Sequence, residues 1–139
     1  LKYGTCTLLA KDVEDQYLRK LASYVKAEFL GSNNTYQDVE DCLRNSKLLI
    51  SGRYHHLIFA LRQGCPVIGL KSSSHKVEGL IDFYDGLIPP IIDPTKLRDE
   101  TEVIEKHLEQ FSSEKIFYEI FLKSKALKKQ TDLLKNCLI

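Results

Sequence analysis

Two rhythms of apolar and polar residues alternate along this chain. Residues 3–10 form a mostly apolar, β-rich run, and 12–26 then place Val13, Tyr17, Leu18, Leu21, Ala22 and Val25 at helical spacing. This predicts a strand followed by an amphipathic helix. A short strand over 27–30, a turn at Gly31-Ser32-Asn33-Asn34 and a helix over 36–45, with Val39, Cys42 and Leu43 inward, come next. Residues 48–51 are continuously apolar and end in a small residue, the pattern of a parallel strand covered on both faces. A helix over 53–63 is closed by Gly64, with Pro66 just beyond, and 66–70 reads as a second buried strand. Ser72-Ser73-Ser74 supplies capping side chains ahead of a helix over 76–84. Asp85-Gly86 turns the chain into a last strand over 87–92, which Pro89-Pro90 confines to an edge. Asp93-Pro94 then has the form of an N-cap with proline at the first helical position, opening a helix over 96–111. Ser112-Ser113-Glu114 opens a long helix to about residue 135, with Ile116, Phe117, Ile120, Phe121, Leu127 and Leu134 inward.

Strands and helices alternating at these lengths predict an α/β fold: a doubly wound parallel sheet of about five strands in a Rossmann-like order, with right-handed crossovers. The α/β domain is expected over 1–111, and the long C-terminal helix, 112–139, is expected to pack on it. Ligands in such sheets sit beyond the carboxyl ends of the strands. Residues 51–55, 71–76 and Asp93 all fall at such ends.

Composition narrows the classes. A chain of 139 residues can bury a core without staples, and no internal repeat divides it. Twenty basic against nineteen acidic side chains, a net charge of +1, argue against nucleic acid held on a broad basic surface. An anion must therefore be gripped locally. Cys6, Cys42, Cys65 and Cys137 lie far apart with no metal-ligand spacing, so no metal is expected. Free thiols of this kind behave as small hydrophobes and point to a reducing, cytoplasmic compartment. No apolar run reaches the roughly 18 residues of a membrane span. The start at Leu1 and the lack of Met suggest a piece of a longer protein.

The candidate chemistry lies in Ser51-Gly52-Arg53-Tyr54-His55-His56 and the following Ser74-His75-Lys76-Val77-Glu78. A helix start offers unpaired N–H groups and the positive end of the peptide dipoles. Gly52 lets the backbone come close to a ligand. Arg53 offers a planar fork to phosphate or carboxylate, and Lys76 a compact charge from the next loop. His55 is of the one type that exchanges a proton near neutral pH, and Ser74 adds a hydroxyl. The plainer reading makes Arg53 and His55 a solvated helix cap. His56 is better read as a partly buried, satisfied histidine, and His75 as equally a surface or a ligand residue. His107 falls in a charged helix and is expected at the surface. Glu78 either orients Lys76 or faces solvent, and Asp93 is better explained by capping.

The stretch Arg53-Tyr54-His55, then Ala60-Leu61, Gly64, Pro66-Val67 and Lys76-Val77, resembles the polysaccharide pyruvyl transferase family. The family pattern runs Arg-x-His-x-x-x-x-Ala-Leu-x-x-Gly-x-Pro-Val and then Lys-Val. Specific motifs occupy residues 48–80 within a likeness extending over about 3–110. The resemblance implies half of a GT-B-like, two-domain fold, with an N-terminal partner domain elsewhere in the parent protein, without which this piece is expected to be inactive. It implies transfer of the pyruvyl group of phosphoenolpyruvate onto two sugar hydroxyls as a ketal, in cell-surface polysaccharide biosynthesis. Phosphoenolpyruvate is then the donor substrate, with no cofactor; a glycan or glycolipid is the acceptor, and the site is cytoplasmic or at the inner face of the membrane. Arg53 and His55 would be catalytic, and Gly52, Arg53, His55, Ser74 and Lys76 substrate-binding. Lys71-Ser72-Ser73-Ser74-His75 departs from the Tyr-Asp-Pro-like loop usual in the family. Two other readings compete: the nucleotide-sugar-binding domain of a GT-B-type glycosyltransferase, which usually has glycine in place of His55, and a non-catalytic anion-binding module.

Overall fold

The computed structural model describes residues 4–111 and 113–137, with side chains through 132; the expected placements of Leu134 and of the Cys137 thiol lie outside that range. Contacts divide the chain into two compact units, residues 1–41 and 42–139, with the boundary inside a helix. In the first, strand β1 (Thr7–Leu9) is followed by a 3-10 turn at Val13–Gln16 and helix α1 (Tyr17–Val25). Buried Asp15 holds the entry to that turn by accepting the backbone N–H groups of Lys11 (2.9 Å) and Asp12 (3.2 Å). Strand β2 (Glu28–Leu30) returns parallel to β1, pairing Thr7 with Glu28 and Leu9 with Leu30. Helix α2 (Tyr36–Arg44) crosses into the second unit. The expected inward face of α1 is only partly realised: Ala22 is buried, whereas Val13, Tyr17, Leu21 and Val25 are exposed.

The second unit is built on strands β3 (Leu49–Ser51) and β4 (Val67–Gly69), joined by helix α3 (Tyr54–Arg62) and paired in parallel with Ser51 opposite Gly69. A full Schellman motif ends α3: Cys65 N–H donates to Ala60 O (2.9 Å), Gly64 N–H donates to Leu61 O (3.1 Å), and Gly64 takes φ +81°. Beyond β4 come α4 (Lys76–Asp82), a 3-10 turn at Pro94–Lys96, α5 (Thr101–Gln110) and the long α6 (Glu114–Cys137). The core is the buried face of α3 (Leu57, Ala60, Leu61), all of β4, Val77 of α4 and Ile120 of α6. Each large apolar side chain so buried contributes about 1.5–3 kcal/mol. Ser124 fastens α6 by donating to Leu61 O (2.6 Å) while its Oγ lies 2.7 Å from the hydroxyl of buried Tyr84. Lys115, Lys125, Lys128 and Lys129 form a solvated face of α6.

The five-strand, doubly wound, Rossmann-like sheet is not formed, and with it goes the expected half of a GT-B-like fold. Among the described residues there are four strands of three residues each, in two separate parallel pairs, β1–β2 and β3–β4. The expected strand over 87–92 contributes one parallel bridge, Leu70 with Ile92, through Ile92 N–H to Gly69 O and Lys71 N–H to Ile92 O, both 2.9 Å. Pro89 and Pro90 carry no N–H, so the ladder cannot extend back from Ile92. Strand β3 was expected to be covered on both faces; instead Ile50 is 41% exposed, as befits an edge. The helix expected over 96–111 starts only at Thr101. Asp93 accepts from Thr95 N–H (2.9 Å) and Oγ1 (2.7 Å), and the bonds from Lys96 N–H to Asp93 O and Asp99 N–H to Lys96 O (both 2.9 Å) keep this stretch in tight i→i+3 turns.

Candidate functional site at the ends of β3 and β4

Strands β3 and β4 run parallel and in register, so the segments that follow them leave from one end of the pair. After Ser51 the chain passes Gly52 and reaches Arg53, the N-cap of α3, in extended conformation (φ −91°, ψ 113°). Ser51 Oγ accepts the Arg53 N–H at 3.0 Å, which fixes the bend into the helix. No side-chain hydrogen bond caps α3 from Arg53, so the positive end of its peptide dipoles is not covered by its own N-cap side chain. A Cβ on Gly52 would lie 3.4 Å from Leu70 O and 3.5 Å from Leu70 Cβ. The side a Cβ would occupy at Gly52 therefore faces the exit of β4.

Arg53 and His55 are exposed, and His55 meets Tyr54 edge to face with ring centroids 5.8 Å apart. His56 is 7% exposed and belongs to the buried face of α3. On the β4 side, the serines do not cap α4 as expected. Ser72 Oγ donates to Ser74 O (3.1 Å), and His75 occupies the N-cap without a side-chain bond. Ser74 and Lys76 are exposed, and buried Val77 and Ile81 anchor the helix that carries Lys76.

Beside this edge lies an open groove of about 650 Å³, lined by Lys71, Glu78, Ile92, Asp93, Lys96 and His107 among others. Asp93 caps the Pro94 turn as expected, and the Thr95 hydrogen bonds, aided by Lys71 and Lys96, hold its carboxyl below the ordinary range. His107 departs from the surface role expected for it: it is half-buried and stacked on Phe111, with centroids 5.7 Å apart. Glu78 is half-buried, and its Oε2 is buried with no hydrogen bond. Sequence reasoning missed the groove. The one available signal was Lys71, directly after a buried strand, since the folding back of 90–107 leaves no local pattern.

The thiols divide by position. Cys65 is buried, and desolvation pushes it up to about 12; Cys42 is half-buried, and Cys6 is exposed, unlike the buried strand residue expected. Among the described residues no group of three or more His, Cys, Asp or Glu is arranged to hold a metal, and no helix is long and apolar enough to cross a membrane.

A family model for polysaccharide pyruvyl transferase matches residues 3–74. The chain belongs to the polysaccharide pyruvyl transferase family. Within this transferase family, the matched segment runs from β1 to the loop before α4. It contains Gly52, Arg53, His55 and Ser74, with Lys76 two residues beyond it. No curated protein and no solved structure matches the chain.

Proposed function

We propose that this polysaccharide pyruvyl transferase family member takes phosphoenolpyruvate as donor at the Arg53–His55 end of α3 and transfers its pyruvyl group to two hydroxyls of a glycan or glycolipid as a ketal. The observation that carries the reading is the pairing of an exposed Arg53-x-His55 with the start of a nine-residue helix, directly after a strand and inside the family match. A helix start favours an anion, and Arg53 adds a bidentate donor for phosphate or carboxylate. Lys76, at the start of α4 beyond the neighbouring strand, is the second clamp, and Ser74 and the Gly52 backbone complete the donor site.

The chemistry needs an acid and an anion clamp. His55 gives a proton to the methylene carbon of phosphoenolpyruvate, turning it into a methyl group while positive charge develops at C2. A sugar hydroxyl oxygen bonds to C2 and gives up its proton to solvent, from which His55 is reprotonated. A second hydroxyl then displaces the phosphate, which leaves with the C–O electron pair and takes up that hydroxyl's proton, and the ketal is complete. Arg53 and Lys76 stabilise the charge on the departing phosphate. Phosphoenolpyruvate supplies the whole transferred group, so the reaction calls on no cofactor. The reaction takes place in the cytoplasm.

The test is phosphate release from phosphoenolpyruvate in the presence of a panel of methyl glycosides. Release is expected from the parent protein that carries this chain, reduced about 100-fold or more in its His55→Gln variant, the usual scale for loss of a general acid. A His55→Gln rate equal to native would overturn the role of His55. Binding of UDP in place of phosphoenolpyruvate would move the protein to the glycosyltransferase reading, and donor binding without turnover to the anion-binding module.

A further inference from the structure

We infer that the groove beside α4 is a saccharide subsite in which Glu78 accepts a hydrogen bond from a sugar hydroxyl. Glu78 lines this groove, and its Oε2 is buried without a donor. A shielded carboxylate oxygen that lacks a donor bears a desolvation penalty that a hydrogen bond relieves. The terminal torsion of Glu is broad, so a modest rotation turns an oxygen toward the opening. What is missing is a donor, and hydroxyls are donors.

The other walls fit the same ligand. Pro90, Ile91 and Val103 give the groove an apolar side for the C–H face of a pyranose ring, while Lys71 and Lys96 offer donors to ring or hydroxyl oxygens. A volume of about 650 Å³ takes a monosaccharide with room for a neighbouring residue. Three carboxylates line the groove: Asp93 already accepts twice from Thr95, and of the other two, Glu78 and Glu100, it is Glu78 that holds a buried oxygen without a donor. The subsite rests on the pyruvyl-transfer reading for its role as acceptor site. Glu78 is assigned as a binding residue that orients the hydroxyl.

The experiment is a pair of nitrogen-15 NMR titrations of the 139-residue chain, one with methyl glycosides to tens of millimolar and one with phosphoenolpyruvate. A glycoside is expected to shift the amides of Lys71, Glu78, Ile92 and Asp93, and Glu78→Gln, with its native spectrum otherwise kept, is expected to weaken that binding about tenfold, because the amide keeps an acceptor oxygen but loses the charge that strengthens the bond. Groove amides that no glycoside moves, or binding unchanged in Glu78→Gln, overturn the inference. The native-chain map decides the matter even if the variant fails to fold. Phosphoenolpyruvate reads the amides of Tyr54 and His55 separately. Shifts there with none in the groove remove only the subsite; groove shifts without them remove the donor reading and leave a sugar-binding groove.

Discussion

Replacing Gly64 with alanine tests whether α6 holds the helix that carries Arg53 and His55. Gly64 ends α3 at φ +81°, and a Cβ there would lie 2.8 Å from Phe117 O and 3.3 Å from Phe121 Cβ, both on α6. The left-handed conformation alone costs alanine about 1–2 kcal/mol. The contact with Phe117 O is with helical backbone, which cannot swing aside as a side chain can, so α6 must shift; overpacking of this kind costs about 1–3 kcal/mol. Together Gly64→Ala loses about 2–5 kcal/mol, a large part of the roughly 5–15 kcal/mol that holds a domain folded. Gly86 supplies the control, because it has φ +80° with nothing within 4 Å of a built Cβ, so Gly86→Ala suffers only the conformational part. Urea unfolding reads both: at about 1–3 kcal/mol per molar, Gly64→Ala lowers the midpoint by roughly 1–3 M and Gly86→Ala by clearly less. Equal midpoints for the two variants would refute the packing of α6 against the end of α3.

Ser124 has one proton and donates it to Leu61 O, so Tyr84 must be the donor to Ser124 Oγ. Ser124→Ala therefore orphans a buried hydroxyl and costs about 1–3 kcal/mol, and Tyr84→Phe costs less; thermal unfolding of both singles and the double is expected to show a double loss smaller than the sum. Thiol labelling at pH 8 is expected to reach exposed Cys6 before Cys42 and Cys65 last. Because burial raises the folded value of Cys65 from 9.0 to about 12, its neutral form contributes stability below pH 9 that is lost as pH rises from about 9 toward 12, and Cys65→Ala flattens that alkaline slope in denaturation profiles. Thr35 and Thr95 hold the carboxyls of Asp38 and Asp93 below the ordinary 3.8. Their contribution is present above pH 3.8 and disappears as pH falls through the lowered values, so Thr35→Val and Thr95→Val raise the respective carboxyl titration midpoints by carbon-13 NMR.

The elements signalled by local chemistry were legible in the sequence. Gly64 and Pro66 marked the end of α3, Asp93-Pro94 its turn, and the apolar runs at 48–51 and 66–70 the paired strands. The sheet was not, because strand pairing depends on partners distant in sequence. An apolar 87–92 segment reads as a strand until Pro89 and Pro90 are asked for N–H groups they lack. Helical periodicity in 12–26 likewise gave the helix but not its cover, since Val13 and Tyr17 are exposed although they stand at core spacing. The placing of Arg53 and His55 together at one helix end was legible because adjacency in sequence keeps them there. Glu78 stood two residues from Lys76 in plain view, yet the groove it lines is completed by residues between 90 and 107, which no local pattern displays.

Calorimetric titration with phosphoenolpyruvate tests the central claim most directly, on the native chain and on Arg53→Ala and His55→Ala. Saturable binding by the native chain that is lost in both variants is the predicted result. Binding that survives both substitutions unchanged, or no binding by the native chain, would contradict a donor site at the start of α3.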